Sequence, residues 1–409
     1  MADEKNWIRE AMFYHIYPLG FTGAPLRNEG EATAGGRILE VLDWIEHFKE
    51  LGINAIYFGP IFESVSHGYD TTDYYQTDSR LGSKEDFKKV FTALHENGIR
   101  VIVDGVFNHV GRKFFAFLDV QKNLEQSDYK DWFCNLNFSW QSPLGDSFSY
   151  ENWHGAAELV KLNLRNPAVC EHLLGAVGMW MDELGIDGLR LDAADCVDRE
   201  FFKRLHSFTK GKREDFWLMG EIIHGDYRVW ANDEMLDSVT NYECWKGIYS
   251  SHNDKNYFEI AYSLKRQFGQ GGLYENLCLY NFLDNHDVNR IGSLLKQREN
   301  LKNAYTLLYM MPGIPSIYYG SEWGIEGVKG QGMDADLPLR PKLDLEEMCA
   351  QETDLPAHIR ELAKIRKESD AVKYGAYDEV LVRNKQFVFA RRSGEQYKVI
   401  ALSLIHISE

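Results

Sequence analysis

Apolar and polar positions follow two rhythms along this chain. Short, nearly unbroken apolar runs occur at Met12–Tyr17, Ile53–Phe58, Arg100–Val103, Gly188–Leu191, Trp217–Gly220, Ser238–Asn241, Cys278–Leu283 and Ile314–Tyr319. Each ends in polar residues. Their β-branched and aromatic character predicts eight buried parallel strands. Between several of them the rhythm becomes helical. Within Ile38–Leu51, positions 38, 41, 42, 45 and 48 are apolar and Gly52 follows as a stop. Ser83 with Asp86 predicts a capping box opening a helix that runs through Leu94 and stops near Gly98. Pro167 followed by Ala168–Leu184 predicts a long helix, with proline in its first turn and Gly185 after its end. Eight strands alternating with helices predict an α/β fold, a closed (β/α)8 TIM barrel.

Two stretches depart from this alternation. Val110–Arg165 is rich in aromatics and poor in helical cues, which predicts a small inserted domain after the third strand. Pro356–Lys367 predicts a final helix. Beyond it, Glu379–Ala401 alternates, with Gln386–Arg391 and Tyr397–Leu402 as hairpin strands around Ser393-Gly394. The expected organisation is a barrel over residues 1–109 and 166–370, an insertion over 110–165 and a truncated C-terminal β-domain over 371–409. Leu402–Glu409 resembles the in-frame translation of a sequencing adapter.

Composition narrows the function. The chain has 45 basic and 62 acidic side chains, a net charge of −17, which argues against a nucleic-acid partner. No apolar run reaches the ~20 residues of a membrane helix. Met1-Ala2-Asp3-Glu4-Lys5 lacks the basic and apolar parts of an export signal, so a cytoplasmic protein with no membrane partner is expected. Six scattered cysteines, none in a CxxC pair, read as unpaired thiols of a reducing compartment. The 22 Tyr and 10 Trp suit a site where flat rings meet sugar faces. Phosphate-loop, dinucleotide, HExxH and GxSxG motifs are absent from their required contexts.

Barrel enzymes place their chemistry at the C-terminal ends of strands. Here those ends carry acids. Asp104 follows strand three, with Asn108 and His109 just beyond. Asp192 follows strand four and Glu221 strand five. Strand seven runs into Asp284-Asn285-His286-Asp287. One such acid could be a helix cap. Four converging on one face are costly to bury without a functional reason. Paired carboxylates are the equipment of glycoside hydrolysis, one attacking the anomeric carbon and one protonating the leaving oxygen. Arg190 lies two residues before Asp192 on the same strand face, placed to keep it ionised and oriented.

At these residues the sequence resembles the α-amylase superfamily, glycoside hydrolase family 13. Asp104-Gly105-Val106-Phe107-Asn108-His109, Gly188-Leu189-Arg190-Leu191-Asp192, Gly220-Glu221 and Phe282-Leu283-Asp284-Asn285-His286-Asp287 resemble its four motifs, in order. The resemblance implies Asp192 as nucleophile, Glu221 as general acid/base and Asp287 as the third acid. It implies His109 and His286 as sugar-hydroxyl ligands, and Asp104 as a support for Arg190. Tyr69, within His67–Tyr74, would stack on the −1 sugar. Asp336 and Arg340 would bind the −1 or −2 glucose. Lys161-Leu162-Asn163 resembles the extra motif of the neopullulanase, cyclomaltodextrinase and maltogenic amylase group. The group's usual asparagine and glutamate are replaced by Asp195 and Cys196, beside the +1/+2 subsites.

The implied function is a retaining α-glucan hydrolase that cuts α-1,4 bonds of maltodextrins, cyclodextrins or pullulan, with transglycosylation when sugar replaces water. An oligo-1,6-glucosidase or a sucrose- or trehalose-type enzyme is the neighbouring alternative. A catalytically inactive binding subunit is the alternative of another class. No cofactor is required. Asn108 is a candidate calcium ligand, although six to eight oxygens cannot be assembled around it from the sequence. The oligomeric state is open.

Overall fold

The eight apolar runs assemble into one sheet. In the computed structural model, which describes residues 7–30, 36–332 and 334–404, the strands are β1 (Phe13–Ile16), β2 (Ala55–Phe58), β3 (Arg100–Gly105), β4 (Gly188–Leu191), β5 (Trp217–Gly220), β6 (Ser238–Val239), β7 (Tyr280–Phe282) and β8 (Ile314–Tyr318). All neighbours are parallel, in the order β6-β5-β4-β3-β2-β1-β8-β7. The two ends meet through a parallel bridge between Thr240 and Tyr280, where the Asn241 N–H donates to the Tyr280 carbonyl at 2.9 Å. The strands therefore close into a barrel.

Side-chain alternation explains the unbroken apolar runs. Phe13, Tyr57, Ile102, Met219 and Phe282 share one buried cluster within the barrel. Tyr14, Phe58, Val103, Leu191 and Leu218 belong to the larger cluster that packs against the helices. Both faces of each strand are buried, so neither face is free to be polar. Toward the C-terminal ends the inward positions change character, to His15, Asp104 and Arg190, all buried.

The capping box at Ser83 opens the helix Lys84–Glu96, with Ser83 and Asp86 bonding reciprocally. The segment predicted as one helix from Ile38 begins differently. Arg37–Trp44 is a 3₁₀-helix and only Ile45–Glu50 is α. Spacings of three put Ile38, Val41 and Trp44 on one face of the tighter helix, and all three are buried. The helix from Pro167 is α only to Met179 and continues as a π-turn, Trp180–Leu184. There the Trp180 ring stacks on Phe62 at 3.9 Å and its N–H donates to the Tyr74 carbonyl at 2.8 Å. Two fixed partners set the position of this bulky ring, and the wider turn accommodates it.

After β3 the chain forms an antiparallel sheet from His109–Gly111, Asn152–Trp153 and Ala156–Lys161. The boundary expected between residues 109 and 110 falls inside the first of these strands. The segment also holds a helix, Phe115–Asn123, which its aromatic composition had masked. Helices Leu355–Glu368 and Asp370–Tyr374 lead to a three-stranded antiparallel sheet, β9 (Ala376–Arg383), β10 (Gln386–Ser393) and β11 (Gln396–Ser403). Leu402 and Ser403, from the adapter-like stretch, pair with Phe387 and Gln386 in this sheet. Residues 405–409 of that stretch lie outside the described residues.

Two buried arginines, Arg366 on the helix Leu355–Glu368 and Arg391 on β10, hold the N-terminal end of the barrel together. Arg366 donates to the carbonyls of Tyr309 (3.0 Å), Gly313 (2.6 Å) and Arg9 (3.3 Å). Arg391 donates to those of Met310 (2.9 Å) and Gly375 (2.7 Å). Each is 1% exposed.

Candidate active site

The site grows from Arg190. Its place on β4 points it into the barrel, where it is buried beyond the reach of water. A buried guanidinium needs acceptors for its N–H groups, and here they are carboxylates. Nη1 meets Asp104 Oδ1 at 2.8 Å and Asp192 Oδ1 at 2.9 Å, and Nη2 meets Glu221 Oε1 at 2.8 Å. Three adjacent strands, β3, β4 and β5, thus deliver their terminal acids to one cation.

Asp104 is held from its other side. Its Oδ2 accepts from the Tyr57 hydroxyl at 2.8 Å and the Tyr69 hydroxyl at 3.1 Å. The Tyr69 hydroxyl also touches His286 Nε2. The rings of Tyr69, His286 and Tyr17 lie nearly parallel, with centroids 5.4 and 5.9 Å apart in succession. His286 Nε2 is 3.0 Å from Asp287 Oδ2. Arg340 holds the other oxygen of Asp287 at 2.9 Å and Asp336 at 3.2 Å, while Lys329 pairs with Asp336 at 2.7 Å. His109 Nε2 lies 3.1 Å from the Tyr69 carbonyl and 4.0 Å from Asp192 Oδ2. All ten candidates therefore lie in one contact network: Tyr69, Asp104, His109, Arg190, Asp192, Glu221, His286, Asp287, Asp336 and Arg340.

Several members of the network were not predicted. Tyr57 and His15 are paired inward positions of β2 and β1, and their rings stack at 4.2 Å. Tyr242 donates to Glu221 Oε1 at 3.3 Å, and Asn285 Nδ2 donates to the Tyr242 hydroxyl at 3.0 Å. Tyr17 carries the Arg340 guanidinium over its ring at 4.4 Å. The available signal was the period-two alternation of β1 and β2, which aims His15 and Tyr57 at the layer holding Asp104.

Burial and charge divide the titratable groups. Burial pushes the Asp192 carboxyl well up. Arg190 opposes the rise, and the Glu221, Asp104 and Asp287 charges add to it. Burial would raise Asp287 too, but His286, Arg340 and Arg190 together hold it well below the usual carboxylate range. Burial pushes His109 down to about 3, so its ring is neutral.

The Asn108 Oδ1 atom is buried without a hydrogen-bond partner, yet Asn108 Nδ2 lies 3.2 Å from the His109 ring. Among the described residues no three His, Cys, Asp or Glu side chains gather as a metal-binding group.

Residues 15–337 match the family model described as "Alpha amylase, catalytic domain". A cyclomaltodextrinase of Bacillus sp is 31% identical over 420 residues, covering 97% of this chain and 73% of that protein. An intracellular maltogenic amylase of Bacillus subtilis is 31% identical over 386 residues, covering 90% of this chain and 63% of that protein. Among solved structures, the cyclic α-maltosyl-(1→6)-maltose hydrolase of Arthrobacter globiformis superimposes with a TM-score of 0.84. Its identity is 28%, and the match covers 97% of this chain and 92% of that one.

Proposed function

The chain belongs to the α-amylase family of glycoside hydrolases, and from that premise we propose a retaining α-glucan hydrolase that cleaves α-1,4 bonds of cyclodextrins, maltodextrins and pullulan. One observation carries the proposal: a single guanidinium is shared by Asp104, Asp192 and Glu221. Three carboxylates around one cation cannot all ionise at low cost when buried, and burial pushes Asp192 up against the pull of Arg190. A retaining glycosidase works with one carboxyl protonated and one ionised across such a pair.

With the proton on Glu221, the leaving glycosidic oxygen receives it as the C1–O bond breaks. Asp192 attacks C1 from the opposite face and forms the glycosyl ester. Glu221, now a carboxylate, takes a proton from water, which attacks C1 and frees Asp192. A sugar hydroxyl in place of that water gives transglycosylation. Asp287, kept ionised by His286 and Arg340, accepts hydrogen bonds from the hydroxyls of the −1 sugar. Tyr69 stacks on that sugar, and neutral His109 bonds its hydroxyls. Asp336 and Arg340 hold the next unit. An intracellular setting fits the name of the Bacillus subtilis relative and the free cysteines.

A second substrate reading, cyclic α-maltosyl-(1→6)-maltose, is favoured by the near-complete mutual coverage with the Arthrobacter enzyme. Proton NMR time courses on γ-cyclodextrin, maltoheptaose and that tetrasaccharide, with Glu221→Gln as control, test both. Release of α-anomeric maltose or glucose, lost in the variant, is expected. The fastest substrate decides between the two readings, and initial release of β-anomers overturns the retaining mechanism.

A further inference from the structure

Resting on the hydrolase reading, we infer that Trp153, at the tip of the inserted hairpin, is a specificity-determining residue that donates its indole N–H to the leaving part of the glucan.

The leaving side of the site is defined by the acid. Glu221 Oε2 receives the Ala193 N–H at 3.3 Å. The turn Ala193–Cys196 therefore lies beside the group that protonates the leaving oxygen. Asp287, Asp336 and Arg340 lie on the β7 and β8 side, across the barrel mouth. A glucan spanning the site runs from those residues, past Asp192 and Glu221, and out over Ala193–Cys196.

The hairpin tip closes over this exit. The Trp153 ring lies 5.9 Å from the His109 ring. His154 Nε2 lies 3.7 Å from Cys196 Sγ. The Trp153 side chain lies beside the same sulphur. Its nitrogen is buried, yet among the described residues it has no partner of ordinary hydrogen-bond geometry. A buried indole N–H usually finds an oxygen, and here the neighbouring group is a thiol, a weak acceptor. Two non-glycine residues with left-handed backbone flank the contact, Ala193 (φ 44°) and His154 (φ 47°). Such strain gathers at sites where a precise shape is required. Beyond the turn, a groove of about 390 Å³ lined by Asp195, Val197, Val229 and Trp230 continues outward. A sugar unit leaving Glu221 for that groove passes the indole edge, and a hydroxyl that displaces the Cys196 thiol supplies the missing acceptor.

Trp153→Phe keeps the ring and deletes the donor. The variant is expected to lower kcat/KM for maltoheptaose about five-fold, the worth of one hydrogen bond. Its kcat/KM for p-nitrophenyl α-maltoside, cleaved at the aryl bond, should stay within about two-fold, because no sugar hydroxyl then reaches the indole. An equal fall on both substrates, or none on either, overturns the inference. A second readout does not need turnover. In ¹⁵N-labelled Glu221→Gln protein, the indole resonance identified by its loss in the Trp153→Phe double variant should move downfield on adding maltotriose. If maltotriose binds by calorimetry and that resonance stays in place, the inference fails while the hydrolase reading stands. If no α-glucan binds or turns over, the hydrolase reading itself fails.

Discussion

The two ends of the barrel bury the same side chain and satisfy it in opposite ways. At the C-terminal end, Arg190 is surrounded by three carboxylates. At the N-terminal end, Arg366 and Arg391 are equally buried, but the bonds they make go to backbone carbonyls. Burial without a carboxylate lowers both, Arg366 to about 10 and Arg391 to about 9, whereas Arg190 is raised by its acids once burial is outweighed. Carbonyls satisfy a guanidinium but hold no exchangeable proton. Carboxylates satisfy it and can also trade a proton or attack carbon. The C-terminal end is thus built for chemistry, and the N-terminal end for cohesion.

Replacing one group at each end separates these roles. Asp192→Asn should reduce cyclodextrin hydrolysis by about 10⁴-fold or more. It should not lower the melting temperature, because the lost charge was disfavoured where it stood. A stability loss comparable to that of a core cavity would break the comparison. Arg366→Met should do the reverse. It strands three carbonyls and costs about 3 kcal/mol, or roughly 5 °C in Tm, with kcat per folded molecule unchanged. A large fall in kcat would give the N-terminal end a catalytic role.

Two acids within the catalytic end should also respond oppositely to pH. The Asp192 carboxyl is raised on folding, so its stabilising contribution is complete below about pH 4 and is lost as pH rises. The Asp287 carboxyl is depressed, so its contribution exists above about pH 4 and is lost as pH falls. Urea denaturation of the two Asn variants should therefore diverge from wild type in opposite directions at neutral pH. Asp287→Asn should rejoin wild type only in strong acid. Parallel curves would mean that the two carboxyls share one environment. The smallest effect concerns Tyr242. Removing the hydrogen bond from Tyr242 to Glu221 in Tyr242→Phe should lower kcat/KM by about three-fold. An unchanged kcat/KM would limit Tyr242 to packing.

The catalytic end was more legible in sequence than the rest, for a physical reason. An acid directly after a buried strand breaks the apolar run where the chain leaves the sheet, so Asp104, Asp192 and Glu221 stand out. Tyr57, Tyr242 and Trp153 do not stand out, because an aromatic ring in a run looks like core until its hydroxyl or N–H is placed. The 3₁₀ start at Arg37 was hidden because spacings of three suit both helix types. The buried pair Arg366 and Arg391 was invisible, since their partners are backbone atoms that any residue supplies.

The seam of the barrel has its own consequence. β6 is two residues long, and its join to β7 is a single bridge, reinforced by the Ser238 hydroxyl donating to the Cys278 carbonyl at 2.6 Å. In a hooped vessel the stave with the shortest lap springs first. Here that stave stands between the strand that carries Glu221 and the strand that leads to Asp287. Warming should therefore part the acid from the third carboxylate while Arg190, Asp104 and Asp192 remain clasped, so that reversible heat inactivation precedes the melting of the barrel itself.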